Sequence, residues 1–389
     1  MKSEMTSRER MMTALRGGVP DRVPCCPDIS NMVPCRLTGK PFWEIYLNAN
    51  PPLWRAYLDA VRYYGMDGWF MEGCIQYKTA YIPETETRDY IKDGRHVRRF
   101  VAHTPYGDLE QEYTCFEADS PTFTEKYIKD FKEDFKKFKY LFPDIVGYDD
   151  SCFQMQKKEL GEDGIMGVGV FPPGFQIFLN YFHGNLEAVT YAYYDEPELF
   201  GELTELFDRQ AMQQMEMIAE VRPDSILTGG SGSITLQSEE LWRELSLPTI
   251  KKLTAMSRQA GIISGIHSCG KEEYLVRVCA EETDLNYVNP LEIPPMGDCN
   301  LKEIKQKYGK KLALMGNLHT TNVMLCGSRE TVREASIRAL KDAAEGGGFA
   351  LSTGDQCGRD TPDENIREMV RVCKEFGVYA EDGTLKNLK

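Results

Sequence analysis

Residues 261–270 have the sequence GIISGIHSCG, in which a short apolar run is followed by a histidine and a cysteine two positions apart. The apolar run, opened by a glycine, predicts a buried β-strand. Since side chains at i and i+2 lie on the same face of a strand, His267 and Cys269 leave its end together. Zinc accepts imidazole nitrogen and thiolate sulfur, so the pair predicts half of a tetrahedral zinc site. The alternative interpretation is two ordinary interior residues.

A second polar strand end supplies candidates for the remaining ligands. Residues 351–358 have the sequence LSTGDQCG, with Asp355 and Cys357 again at i and i+2. Glu292 follows a third predicted strand and could complete the shell. Thiolate is the better match to zinc beside another thiolate, so Cys357 is the preferred third ligand, with Asp355 and Glu292 as alternatives. Asp355 and Glu292 are also the predicted catalytic residues, because either could orient a ligand or move a proton.

Strand and helix patterns alternate along the chain. Counting from Val23, eight apolar strands are separated by helical segments, which is typical of an α/β fold of the (β/α)8 TIM-barrel type. Near residues 77–116 apolar and polar residues alternate with a period of two on both sides of a turn at 104–108. This pattern predicts an inserted antiparallel β-hairpin. The sequence contains no linker or low-complexity tract, so residues 1–389 are expected to form a single domain.

In such barrels the reactive groups lie where strands end and the following loops begin. The predicted strand ends carry four polar side chains that we expect to contact substrate: Asp28, Glu72, Asn317 and His319. Another strand end carries Ser231 within the run GGSGS at 229–233. This run lacks the lysine of a phosphate-binding loop, and we interpret it as a turn that permits close approach of another segment.

The charge balance excludes several classes of partner. The chain has 60 acidic and 46 basic residues and a net charge of −14, which disfavours nucleic acid and anionic membranes. No apolar run of about 18 residues is present, and the N-terminus lacks the apolar core of a signal peptide. Twelve cysteines scattered through 389 residues fit reduced thiols. We therefore expect a cytoplasmic protein.

Several of these stretches resemble the uroporphyrinogen decarboxylase superfamily and, within it, its corrinoid-dependent methyltransferase branch. The opening run from Arg8 to Pro24 resembles the N-terminal signature of the branch. Residues 315–318, MGNL, resemble the penultimate strand of the superfamily, and residues 361–365, TPDEN, its closing helix start. The His-X-Cys element at 267–269 is similar to the zinc-binding element of the branch.

The chain departs from the family pattern in two places. The decarboxylase proper carries an arginine-bearing N-terminal motif for substrate propionates, whereas residues 24–28 here are PCCPD, so porphyrin decarboxylation is not expected. The branch places a cysteine ligand six residues before the threonine that opens the closing helix. That position is Asp355 here, and Cys357 is displaced by two. The third ligand is therefore open between Asp355, Cys357 and Glu292.

The resemblance implies a zinc-dependent methyltransferase that works with a separate corrinoid protein. It would move a methyl group between the corrinoid (cobalamin) cofactor carried by that protein and a small O- or S-methyl compound. A methoxylated aromatic in an O-demethylase reaction is one example. A metal-independent decarboxylase or lyase on the same scaffold is the alternative, with His267 and Cys269 as pocket residues only. No nucleic-acid or membrane partner is expected. A homodimer is compatible with the sequence, which does not fix the oligomeric state.

Overall fold

The computed structural model describes residues 4–388. The strands, in chain order, are β1 (Gly68–Phe70), β2 (Gln76–Thr79), β3 (Glu84–Lys92), β4 (Arg95–Thr104), β5 (Gly107–Cys115), β6 (Thr122–Glu125), β7 (Ile145–Asp149), β8 (Gly164–Gly169), β9 (Ser225–Gly229), β10 (Ile263–His267), β11 (Tyr287–Asn289), β12 (Ala313–Leu318) and β13 (Phe349–Thr353). The helices are α1 (Ser7–Leu15), α2 (Met32–Leu37), α3 (Phe42–Asn48), α4 (Leu53–Tyr64), α5 (Phe131–Tyr140), α6 (Ser151–Leu160), α7 (Phe175–Phe178), α8 (Asn185–Asp195), α9 (Pro197–Val221), α10 (Glu239–Leu245), α11 (Leu247–Ala260), α12 (Glu273–Glu282), α13 (Leu301–Tyr308), α14 (Arg329–Ala343) and α15 (Asp363–Phe376), with a π-helical segment at Thr320–Leu325. Within residues 4–388, none of the helices combines the length and the apolar character needed to cross a bilayer.

Seven of the strands form one parallel sheet. Its order is β1-β8-β9-β10-β11-β12-β13, so each strand from β8 onward pairs with the next one along the chain. The α/β class that the alternating sequence pattern predicts is therefore confirmed. In the register of the sheet, His267 lies between Gly229 and Asn289. The polar ends of three neighbouring strands consequently lie side by side.

Residues 23–28, predicted as the first strand, contact both edge strands of this sheet. Cys25 forms a parallel bridge with Leu351 of β13. On the other side, the N–H of Asp67, just before β1, donates to the carbonyl oxygen of Cys25 at 2.8 Å. Proline has no N–H to contribute to a ladder, so the two prolines of this segment restrict the pairing to isolated bonds.

A buried carboxylate at Asp67 joins the N-terminal segments to the sheet. Its side chain is fully buried and accepts from Arg10 Nη1 at 2.6 Å, from Arg22 Nη1 at 2.8 Å and from the N–H of Cys25 at 2.9 Å. Arg10 is 2% exposed and also pairs with Asp21 at 2.7 Å. Buried charges are tolerated when they are paired and hydrogen-bonded in this way.

Helix α1 packs against one end of the layer of buried side chains inside the sheet. It begins with a capping box in which Thr6 is the N-cap and Glu9 bonds back to it. Its Met11 and Leu15 are fully buried among side chains from the strands: Cys26, Trp69, Ile165, Ile263, Tyr287, Ala313, Met315 and Ala350. Since this layer is closed by helix α1, the opposite ends of the strands are the ones left for a site.

Residues 84–125 form a four-stranded antiparallel sheet in the order β3-β4-β5-β6. The predicted hairpin at 77–116 corresponds to β4 and β5, which are joined between Thr104 and Gly107. A further hairpin, β3–β4, turns at Asp93–Gly94, a dipeptide typical of two-residue turns. The sheet packs through Ala102 and Leu109 on a cluster that includes three rings of α5: Phe131, Phe135 and Phe138. Their spacing of i, i+4 and i+7 in the sequence predicts such a packing stripe on one face of a helix.

We expect Asp67→Asn to lower the free energy of unfolding by about 3–5 kcal/mol, because buried Arg10 and largely buried Arg22 lose their shared counter-charge. Urea denaturation followed by circular dichroism measures the change. The matched control is Asp163→Asn, which removes an ion pair with Arg62, a side chain that is almost half exposed. Loss of this exposed pair should lower the free energy of unfolding by less than about 1 kcal/mol. Equal effects of the two substitutions would contradict the assignment.

Candidate metal centre

The site is built around the carboxyl end of β10. Ile263, Gly265 and His267 alternate to the inner side of the sheet, where Ile263 packs in one cluster with Tyr287. A Cβ at position 265 would lie 2.1 Å from Cζ of the Tyr287 ring, so only glycine permits this approach. His267 is the next inward residue, and its side chain is 19% exposed.

Three side chains converge at this strand end. His267 Nε2 lies 3.1 Å from Cys269 Sγ and 3.9 Å from Asp355 Oδ1. Within residues 4–388, these three are the His, Cys, Asp or Glu side chains whose donor atoms all lie within 4.8 Å of one another. Burial, together with the neighbouring Asp355 carboxylate, raises the pKa of the Cys269 thiol. The protein alone thus favours the neutral thiol, and a cation would reverse that preference.

Asn289 lies beside the other ring nitrogen of His267. Its Nδ2 is 3.2 Å from Nδ1, the residue is 1% exposed, and its Oδ1 has no hydrogen-bond partner among the residues described. When the side-chain amide is rotated by 180°, its Oδ1 faces the ring and accepts a hydrogen bond from Nδ1–H of His267. That tautomer leaves the Nε2 lone pair on the side of Cys269 and Asp355, as a metal ligand requires.

The structure brings Asp355, and not the preferred Cys357, into the cluster with His267 and Cys269. Strand β13 ends at Thr353, and Asp355 has φ of +110°, so the alternation of a regular strand does not extend to these residues. Cys357 is fully buried, and its N–H donates to the carbonyl oxygen of Asp28 at 2.8 Å. Burial, together with the charge of Asp28, raises the pKa of its thiol to about 12.

Glu292 lies next to the cluster without belonging to it. One of its carboxylate oxygens, Oε2, accepts from the N–H of Gly270, immediately after Cys269. The preceding residue, Leu291, has φ of +61°, a conformation that costs about 1–3 kcal/mol for a residue other than glycine. Burial raises the pKa of Glu292, against the effect of the Gly270 hydrogen bond, and the charge of Asp355 raises it further.

Asp28 ends the first extended segment, and Glu72 follows β1. Asp28 is 6% exposed and accepts from the N–H and hydroxyl of Ser30. Burial raises its pKa, while the charges of His267 and Asp355 act on it in opposite directions. Glu72 keeps access to solvent although surrounding protein raises its pKa. Their contact with substrate stays a prediction.

The structure gives Asn317 and His319 backbone partners. Asn317 Nδ2 donates to the carbonyl oxygen of Leu291 at 3.0 Å and so supports the turn before Glu292. Nδ1 of His319 accepts from the N–H groups of Thr321 and Asn322, both at 3.1 Å, and caps the π-helical segment. Contact of either side chain with substrate stays a prediction.

Two polar residues that shape this site, Asn289 and Glu272, are not among those predicted from the sequence. Asn289 could have been found by aligning the ends of consecutive predicted strands. Glu272 is fully buried, and its Oε2 accepts from the N–H of Leu291 at 2.5 Å. In the sequence it is followed by Glu273, and acidic pairs at a helix start are ordinarily solvent-facing. Nothing in the sequence separates the buried carboxylate from the exposed one.

Comparisons with known proteins agree with this fold. The solved structure described as a methyltransferase from Methanosarcina mazei is similar with a TM-score of 0.67 at 15% sequence identity, over 96% of this chain and 99% of that one. A B12-independent methionine synthase from a Shewanella species gives a TM-score of 0.45 at 11% identity, over 91% and 97% of the respective chains. The search of curated protein sequences finds no match.

At 15% identity, the first of these likenesses shows a shared fold. The family itself is shown by sequence. A sequence model described as uroporphyrinogen decarboxylase (URO-D) matches residues 178–376, which is more than half of the 389-residue chain. This protein therefore belongs to the uroporphyrinogen decarboxylase family.

Proposed function

We propose that this protein is a zinc-dependent methyltransferase that moves a methyl group between a small O- or S-methyl compound and a corrinoid held by a separate protein. The observation that carries the proposal is the convergence of His267 Nε2, Cys269 Sγ and an Asp355 oxygen from two separate strand ends. The family also contains decarboxylases, as its name states. A nitrogen, a sulfur and an oxygen donor brought together in this way favour metal-assisted chemistry.

The donor atoms fit a zinc ion in type and spacing. Ligand atoms around tetrahedral zinc, at bond lengths of 2.0–2.3 Å, lie about 3.3–3.8 Å apart. The nitrogen–sulfur and nitrogen–oxygen separations here are 3.1 and 3.9 Å. Asp355 is the proposed third protein ligand, and Glu292 is the candidate for a fourth ligand or for a group that faces the substrate. Cys357 remains a candidate only if the segment after β13 rearranges.

The surrounding residues have separate roles in this proposal. When bound, zinc supplies Lewis acidity that withdraws charge from an ether oxygen or lowers the pKa of a thiol. Asn289 holds the His267 ring and its tautomer through Nδ1. The Oε2 atom of Glu292 holds the backbone after Cys269, so its Oε1 is left to give a proton to, or take one from, the substrate heteroatom. Asp28 and Glu72 would line the space for the substrate.

The architecture proposed around this site is a closed (β/α)8 barrel with the antiparallel sheet as an insertion. The seven-stranded sheet and residues 23–28, which bond to both of its edges, support closure. Closure would bring Asp28 and Glu72 to the same rim as His267, since parallel strands end on one side.

A separate corrinoid protein is proposed because the sequence lacks the usual corrinoid-binding element. That element, Asp-X-His-X-X-Gly, needs an aspartate two positions before a histidine, and none of the five histidines has one.

The charge of the site bears on the substrate. The candidate carboxylates form no salt bridge with Lys or Arg in the described part of the chain: Asp28, Glu72, Glu292 and Asp355. A site of this charge disfavours a substrate with several carboxylates.

The proposal is tested by metal analysis of the purified protein together with methyl-transfer assays on a panel of O- and S-methyl donors with free cobalamin. We expect about one zinc per chain, and loss of both metal and activity, by about 100-fold or more, in His267→Ala and Cys269→Ala. Cys326→Ser, which changes an exposed free cysteine, is the control and should retain both. A metal-free protein that catalyses decarboxylation or a lyase reaction would favour the alternative function.

The third ligand is tested by comparing Asp355→Ala with Cys357→Ser. We expect the first substitution to weaken zinc binding at least about tenfold, since it removes a donor atom, and the second to leave it nearly unchanged. Competition with a chromophoric chelator measures the affinity. The reverse order of effects would assign the ligand to Cys357.

A further inference from the structure

The glycine-rich loop after β9, residues 229–233, lies directly against the loop that carries His267 and Cys269. The N–H of Gly232 donates to the carbonyl oxygen of Cys269 at 3.1 Å. Gly229 has φ of +85°, and a Cβ at this position would lie 2.4 Å from the carbonyl oxygen of His267. The glycines therefore permit the close approach that the sequence predicts for this run.

This approach places a hydroxyl on the sulfur of the candidate metal ligand. Ser231 Oγ lies 3.0 Å from Cys269 Sγ. On its other side the sulfur faces His267 Nε2 at 3.1 Å. Ser231 itself is exposed to solvent, and the contact with the Cys269 sulfur is the hydrogen bond that its Oγ makes within residues 4–388.

The direction of this hydrogen bond depends on the state of the sulfur. A thiol can donate its proton to the serine oxygen, whereas a thiolate can only accept. If Nε2 of His267 is a metal ligand, its lone pair is directed to the ion and it carries no proton to donate. Of the polar neighbours of this sulfur, which are His267, Asp355 and Ser231, the Ser231 hydroxyl is then the one able to donate to it, because a carboxylate only accepts.

We propose that Ser231 is a positioning residue that donates a hydrogen bond to the metal-bound thiolate of Cys269. This inference rests on the proposed function, because it requires Cys269 to be a ligand. The hydrogen bond keeps the sulfur next to His267 Nε2 and withdraws part of its negative charge. A thiolate that donates less charge leaves the ion a stronger Lewis acid toward the substrate.

The shape of the loop does not depend on Ser231. The N–H of Gly232 donates to the carbonyl oxygen of Cys269, and Ser233 donates to the carbonyl oxygen of Gly230 from its N–H at 3.3 Å as well as from Oγ at 2.7 Å, so backbone contacts hold the loop when either serine side chain is removed. Ser233→Ala is therefore a matched control that alters the same loop without touching the sulfur. Ser231→Thr retains the hydroxyl and is the rescue variant.

The experiment is titration of the metal-free full-length protein with Co²⁺, followed by absorption spectroscopy and chelator competition. We expect a thiolate-to-cobalt charge-transfer band in the unaltered protein. In Ser231→Ala the band should move to lower energy, because the sulfur becomes more electron-rich, and affinity should fall about tenfold, because the sulfur is no longer held next to His267 Nε2. Ser231→Thr should restore both, and Ser233→Ala should leave both unchanged.

Two results would overturn the inference, and they differ in what else they affect. A charge-transfer band in Ser231→Ala at the same energy as in the unaltered protein would remove the role of Ser231 and leave the proposed function intact. Absence of any thiolate-to-cobalt band in the unaltered protein would remove both. Thermal unfolding of each variant without metal shows whether a change in affinity reflects a folding defect.

Discussion

The buried carboxylate of Asp67 is the interaction on which the rest of the structure depends. It binds Arg10 of α1, Arg22 and the backbone of the first extended segment, directly before β1 begins. Helix α1 makes a second link of the same kind, from Arg8 to Asp224, whose Oδ2 also accepts from the N–H of Met166 in β8. Charged hydrogen bonds thus hold one end of the sheet closed, and the site is confined to the other end.

At that other end, backbone contacts rather than side-chain packing set the position of the site residues. Glu272 and Asn317 both bind the backbone of Leu291, whose left-handed conformation turns the chain so that Glu292 can reach the N–H of Gly270. The loop at 229–233 binds the carbonyl oxygen of Cys269 from the opposite side. A strained turn and a close loop approach are stable here because neighbouring groups satisfy them.

The site also contains buried polar atoms that stability alone would not retain. Oε1 of Glu272 has no hydrogen-bond partner among the residues described, and such an atom costs about 1–3 kcal/mol. Oδ1 of buried Asn289 finds a partner only when its amide is turned toward Nδ1–H of His267. Glu272 binds the backbone of Leu291, directly before Glu292, and Asn289 contacts the His267 ring. Their retention is consistent with a site that trades stability for the placement of His267 and Glu292.

Local chemistry along the chain was sufficient for the α/β class, for the packing role of the α5 phenylalanines and for the pairing of His267 with Cys269, because these features depend on periods of two to four residues. It was not sufficient for the choice between Asp355 and Cys357. Which of the two lies beside His267 depends on the backbone turning out of strand geometry after Thr353, where the N–H of Gly354 donates to Leu318 and the N–H of Cys357 donates to Asp28, contacts between separate segments of the chain. The same holds for Glu272 and Asn289, which look like an ordinary helix-start acid and an ordinary strand residue until folding brings β10 and β11 together.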